Sequence, residues 1–138
     1  MASAVLGAFN MAKKEHWKGD PDPHDFPAAS DFLSLTLSRT ETAAVVRKLK
    51  AVTLAHRKAK DLLRASRLPL LPIDDPEVAR DLRKIRKGEL LSPVLLVRGS
   101  LAKDVPLTVA DGFHRISASY HLDEDADIPC RIVDATPD

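Results

Sequence analysis

VPLTVADGFHRISASYHLDEDADIPCR, residues 105–131, is the stretch on which the fold of this chain turns. Residues 106–110 read as a short apolar strand, Asp111-Gly112 as a tight turn, and Phe113-His114-Arg115 as the opening of a helix. An acidic loop follows, and residues 128–133 return as a second strand. A strand that feeds a glycine turn and then a helix start leaves free backbone N–H groups and a positive dipole end at one spot. That is a place for an anion, most often a phosphate. His114 and Arg115 lie in the first turn of the same helix, where the dipole disfavours cations. Two basic residues at that end need an anion to justify them.

Composition sets the outer bounds. The 138 residues suit one domain with a real core, and 44% hydrophobic with 30% charged residues is ordinary for a globular protein. No apolar run reaches the length of a membrane span, and residues 1–10 are not expected to serve as a secretory signal. The one cysteine, Cys130, excludes an internal disulfide framework and fits a reducing cytoplasm, so a cytoplasmic location and no membrane partner are expected. Net charge is +1, but unevenly spread: residues 39–87 hold fourteen Lys/Arg against six Asp/Glu, and residues 111–138 hold two against seven. Such asymmetry implies a basic face for a polyanion, a chain that pairs its own halves, or simply a solvated helical surface.

Taken in order, residues 1–30 carry Pro21, Pro23 and Pro27 among several aspartates and read as an irregular extension. His16, Asp20, Asp22, His24 and Asp25 are metal-capable types without a recognised ligand spacing, so no metal site is expected there. Trp17 is suited to anchor the arm on the domain or on a second copy, which leaves a homo-oligomer open. Residues 32–37 alternate apolar and polar like a half-buried strand. Ser38 or Thr40 caps a helix over 41–52, and a second helix over 54–66 sets Leu54, Leu62 and Leu63 opposite Arg57, Lys58, Lys60 and Arg64. Residues 68–71 fit an edge strand. Asp75-Pro76-Glu77 is a strong helix start, with Val78, Leu82 and Ile85 on the inner face and Gly88 as the stop. Residues 93–97 are a buried strand. The expected architecture is α/β (α+β): a small mixed sheet flanked by helices, spanning 31–138 with an added N-terminal strand and helix pair.

The pieces DPEVARDLRKI, LSPVLLV, PLTVADGFHRISA and IPCRIV, covering residues 68–133, resemble the ParB/sulfiredoxin superfamily, the ParB N-terminal-like domain. The DGFHR segment lies where sulfiredoxins carry Gly-Gly-Cys-His-Arg and ParB proteins Gly-Glu-Arg-Arg. The resemblance implies a site for ATP, ADP or CTP; a hydrolase or kinase there would also need Mg²⁺ near the γ-phosphate. By position, Gly112 would let the backbone approach the phosphates, and His114 and Arg115 would donate to them. Arg80 and Lys84 on the preceding helix would assist, and Ser117 reads either as a further phosphate ligand or as a small residue that packs the helix on the sheet. If the nucleotide is hydrolysed or its phosphoryl transferred, Asp111 is the preferred catalytic acid or base, ahead of Asp75 and Glu77.

Two departures from the family limit the activity. Phe113 stands where sulfiredoxin has its catalytic cysteine, and Cys130 on a strand reads as a buried structural thiol, so sulfinic-acid reduction is not expected. ParB proteins continue into a helix-turn-helix module and a dimer domain that residues up to Asp138 do not contain, so centromere binding is not expected either. The alternative reading is a non-catalytic nucleic-acid-binding or regulatory module that uses Arg57, Lys58, Lys60 and Arg64. Aromatic content of 4% gives little support to a base-stacking surface.

Overall fold

Four strands form one sheet in the computed structural model, which describes residues 16–135. They are β1 (Ala55–Lys58), β2 (Val94–Arg98), β3 (Thr108–Asp111) and β4 (Asp127–Asp134), in the spatial order β1-β4-β2-β3. β4 runs parallel to β2, with Val94 opposite Cys130 and Val97 opposite Val133, while β1 joins β4 and β3 joins β2 in antiparallel pairs. Five helices are described: α1 (Asp25–Leu33), α2 (Arg39–Ala51), α3 (Ala59–Ser66), α4 (Pro76–Arg86) and α5 (Phe113–Leu122). The protein is therefore mixed α/β with a four-stranded mixed sheet.

Strand periodicity explains the layering. Val94 and Leu96 point to one face, where they meet Leu62 and Leu63 of α3, Ile116 of α5, and Ile128 and Cys130 of β4. Leu95 and Val97 point to the other, against Ala29 and Leu33 of α1 and Val45 and Leu49 of α2. A strand covered on both faces needs an unbroken apolar run, and residues 93–97 supply it. Leu95 and Leu96 are both fully buried, each worth about 1.5–3 kcal/mol of burial.

Helix ends follow the local chemistry. Ser38 closes a capping box on α2: its hydroxyl accepts from the Glu41 N–H and the Glu41 carboxylate accepts from the Ser38 N–H. The Asp75 carboxylate accepts from the N–H groups of Glu77 and Val78 at the start of α4, with Pro76 at the first helical position. Gly88, just past the end of α4, takes a left-handed φ of 79°.

Four expectations are corrected. Residues 32–37 are not a strand: Leu33 ends α1, a turn follows, and Phe32 and Leu35 are exposed. The alternation there was coincidental, because burial follows Asp25, Ala29 and Leu33 at helical spacing. Residues 54–66 are not one helix; 55–58 form edge strand β1, and α3 begins only at Ala59. Residues 68–71 pair with no strand, and Leu71 is held instead by Ser117 Oγ and His121 Nε2. On α4 the inner arc is set by Val78 and the acid Asp81, both buried, while Leu82 and Ile85 are only partly covered.

Of the extension, residues 1–15 lie outside the described residues. Trp17 bridges to Leu91 through the backbone and packs against the core on the α3–α5 side, so its anchor is the chain's own domain. Among the described residues no helix is long and apolar enough to cross a membrane.

Candidate functional site

The turn between β3 and α5 is shaped by Gly112. Its φ of 113° lies in the region that disfavours side chains, and a Cβ here would stand 2.4 Å from Val94 Cγ1. Glycine thus lets α5 start hard against β2. Gly112 is also the N-cap, so α5 has no side-chain cap and no acid in its first turn. The free N–H groups and the dipole of that end are left without a local anionic partner.

This turn forms one wall of a cleft of about 310 Å³. Gly112, His114 and Arg115 face Glu77, Arg80, Asp81 and Lys84 of α4, and Lys18, Asp22 and His24 close the side. The residues from α4 recur at i, i+3, i+4 and i+7, so one stripe of that helix lines the cleft. Arg80 is exposed and stands 3.6 Å from Glu77, and Lys18 pairs with Asp22 at 2.7 Å. Lys84 forms no ion pair with a described residue. The Lys18 hydrogen bond, with charge attraction, holds the Asp22 carboxyl below its ordinary pKa.

Arg115 is fixed rather than free. Its Nη2 donates to Asp111 Oδ2 at 3.0 Å and to the Pro93 carbonyl at 3.4 Å. Burial pushes the Asp111 pKa up; Arg115 opposes that shift, and the neighbouring Asp25 carboxyl adds to it. Asp25 is 2% exposed and accepts from the Asp22 N–H at 3.0 Å. Asp81 is also buried, and burial raises its pKa against the pull of Arg115, Lys84 and His114.

The sequence reading placed Asp111, Gly112, His114, Arg115, Lys84 and Arg80 at one site, and all six line this cleft. Ser117 does not: it is fully buried, and its hydroxyl accepts from the Leu71 N–H. Asp75 serves as the α4 cap and lies outside the cleft lining. Asp81 and Lys18 were missed, and Asp25 was read only as a metal-capable type without ligand spacing. Asp81 had a signal, since it stands three residues after Val78 and so falls on the inner arc of an amphipathic helix. Asp25 had only a turn-rich setting, D-P-H-D, which reads as surface.

The metal-capable atoms of Asp22, His24 and Asp25 lie within 4.8 Å of one another, so these three could hold a cation. The Lys18 ammonium already occupies one oxygen of that set.

Part of the basic stretch is paired with acids. Lys58 and Lys60 converge on Asp125 at 3.7 and 2.7 Å, and Arg64 sits 3.8 Å from Asp61. Arg57 and Lys58 belong to β1, and Lys60 and Arg64 to α3, so the four do not share one helical face. Pairing with the acidic half thus involves two of these four cations, Lys58 and Lys60, which share one carboxylate. Cys130 is buried, and its thiol pKa is pushed up to about 11 by burial.

No protein-family model, curated protein or solved structure matches the chain.

Proposed function

We propose that the cleft between α4 and α5 binds the phosphate of a nucleotide, as the ParB/sulfiredoxin resemblance implies. One observation carries the reading: Arg80, Lys84 and His114 converge with the uncapped N-terminus of α5 on a single cleft. Each part alone is common. Together they put oriented N–H donors, a helix dipole and mobile cations around one volume. Arg115, tied to Asp111, contributes fixed positive charge to the wall.

Binding, rather than turnover, is the function this geometry supports. Asp111 is engaged by Arg115 and crowded by Asp25, so it is poorly placed to take a proton from an acceptor. Phe113 packs against the core, which leaves no sulfur nucleophile at the motif.

The test is a thermal-shift series on the full chain with ATP, ADP and CTP, each with and without Mg²⁺. A ligand-dependent rise in Tm that Lys84→Ala and His114→Ala both reduce is expected. The absence of a shift with every nucleotide would falsify the proposal.

A further inference from the structure

Asp81 stands out in the cleft. It is 8% exposed, lines the cleft wall, and its carboxyl makes no hydrogen bond or ion pair with a described residue. Its oxygens are not among the fully buried side-chain atoms that lack a partner, so the exposure it keeps opens to the cleft, and a ligand that displaces water there must supply a hydrogen bond in its place. Lys84, His114 and Arg115 attract it electrostatically, yet none comes within ion-pairing distance. The cleft is lined by Lys18, Arg80, Lys84 and Arg115 against Asp22, Glu77, Asp81 and Asp111, and of these four acids Asp81 alone has no hydrogen bond or ion pair with a described residue.

We propose that Asp81 accepts a hydrogen bond from a sugar hydroxyl of a phosphate ester whose phosphate sits at the Gly112 turn. This rests on the phosphate reading above and names its ligand class: sugar phosphates, including the phosphate and sugar of a nucleotide. Three observations favour a neutral hydroxyl as the missing partner. Of the groups that act on Asp81, Arg115, Lys84 and His114 disfavour a metal ion or an ammonium group and Glu77 favours one, whereas an O–H donor carries no charge. The volume of about 310 Å³ is at the low end for small-molecule pockets, roughly 300–1,000 Å³, and suits a phosphate with a sugar rather than a whole nucleotide. The lining holds no Phe, Tyr or Trp on which a base would stack, and Leu90 and Leu91 are its only large apolar members. The base accordingly lies outside and is weakly read.

Calorimetric titration of the full chain with methyl phosphate, ribose 5-phosphate, ADP and CDP tests this. Wild type is expected to bind ribose 5-phosphate roughly tenfold or more tighter than methyl phosphate, from one charge-assisted hydrogen bond. ADP and CDP should fall within about threefold of each other, as a site without base contacts requires. Asp81→Leu should erase the sugar preference, and Asp81→Asn, which keeps a neutral acceptor, should retain part of it. Both should bind methyl phosphate at least as tightly as wild type, because an acid beside the anion is gone. Equal wild-type affinity for methyl phosphate and ribose 5-phosphate overturns the inference while leaving the phosphate site standing. So does an equal gain for both ligands in the Asn variant, which would make Asp81 a mere repulsive charge. If the Leu variant does not fold, the wild-type ratio and the Asn variant still decide. No binding of any phosphate ester overturns the phosphate site and this inference together.

Discussion

Arg115 Nη2 lies 3.0 Å from Asp111 Oδ2, so the first turn of α5 is tied back to the strand that feeds it. Both side chains are about four-fifths buried, which makes this an interior ion pair rather than a surface one. Its partner set is asymmetric. Asp111 also meets the Asp25 carboxyl, while the Arg115 guanidinium bonds to Asp111 and to the Pro93 carbonyl.

Arg115→Ala should therefore destabilise the fold by about 3 kcal/mol, the scale for stripping one partner from a buried pair. The loss should be larger near pH 8 than near pH 5, since burial raises the Asp111 pKa and a proton taken up by that carboxyl removes the charge left unpaired. Urea unfolding at the two pH values measures it. A loss that is small and independent of pH would show that the pair contributes little.

Asp81 gives a prediction of opposite sign. Burial raises its folded pKa above the unfolded value, so its contribution to stability is present below the unfolded pKa and is lost as pH rises through the folded one. Once ionised, the unpartnered carboxylate is a net cost. Asp81→Asn should raise Tm at pH 7–8, and the advantage should shrink towards about pH 4 as the wild-type acid protonates. Calorimetric scans across that range read it directly; a variant less stable than wild type at pH 8 would contradict it.

The parts of the fold that were legible share one property: local chemistry and burial agree there. Asp75-Pro76 opens α4 and Gly88 closes it because capping and φ requirements act within a few residues. Residues 94–97 announce a doubly covered strand through their unbroken apolar run. β1 was illegible because it pairs with β4 through its backbone while His56, Arg57 and Lys58 stay exposed, so no alternation marks it. The cleft was half legible. The Gly112 turn and the cations of α4 could be placed from spacing, but the approach of Asp25 to Asp111 is a tertiary contact between residues far apart in the chain.

Gly112→Ala should cost about 3 kcal/mol, combining a left-handed backbone with overpacking against Val94. The two parts can be separated. Trimming the neighbour in a Gly112→Ala/Val94→Ala pair should remove the 2.4 Å contact with Val94 Cγ1 but neither the 2.8 Å contact with Val94 Cβ nor the backbone strain, so the double variant is less destabilised than the sum of the singles. Simple additivity would mean that β2 does not press on the turn.

Cys130 should resist thiol reagents in the native state. With its pKa pushed up to about 11 and its side chain in the core, almost no accessible thiolate exists at neutral pH. Labelling by a disulfide reagent should follow the unfolding rate and rise with denaturant. Rapid labelling of the folded protein would place the thiol at the surface.

Lys84 and Arg80 line the same cleft from the same helix, yet they should not contribute equally to phosphate binding. Arg80 stands beside Glu77 and is exposed, so its charge is partly cancelled by that carboxylate and screened by solvent. Lys84 is half-buried and has no ion-pair partner among the described residues, so an arriving anion meets its charge undiminished. Lys84→Ala should weaken phosphate or nucleotide affinity roughly tenfold, and Arg80→Ala by about threefold or less. Glu77→Gln separates the causes, because removing the competing carboxylate should strengthen binding in wild type but not in Arg80→Ala. Equal losses at the two positions, with no effect of Glu77→Gln, would mean that long-range positive charge, rather than the α4 stripe, holds the anion.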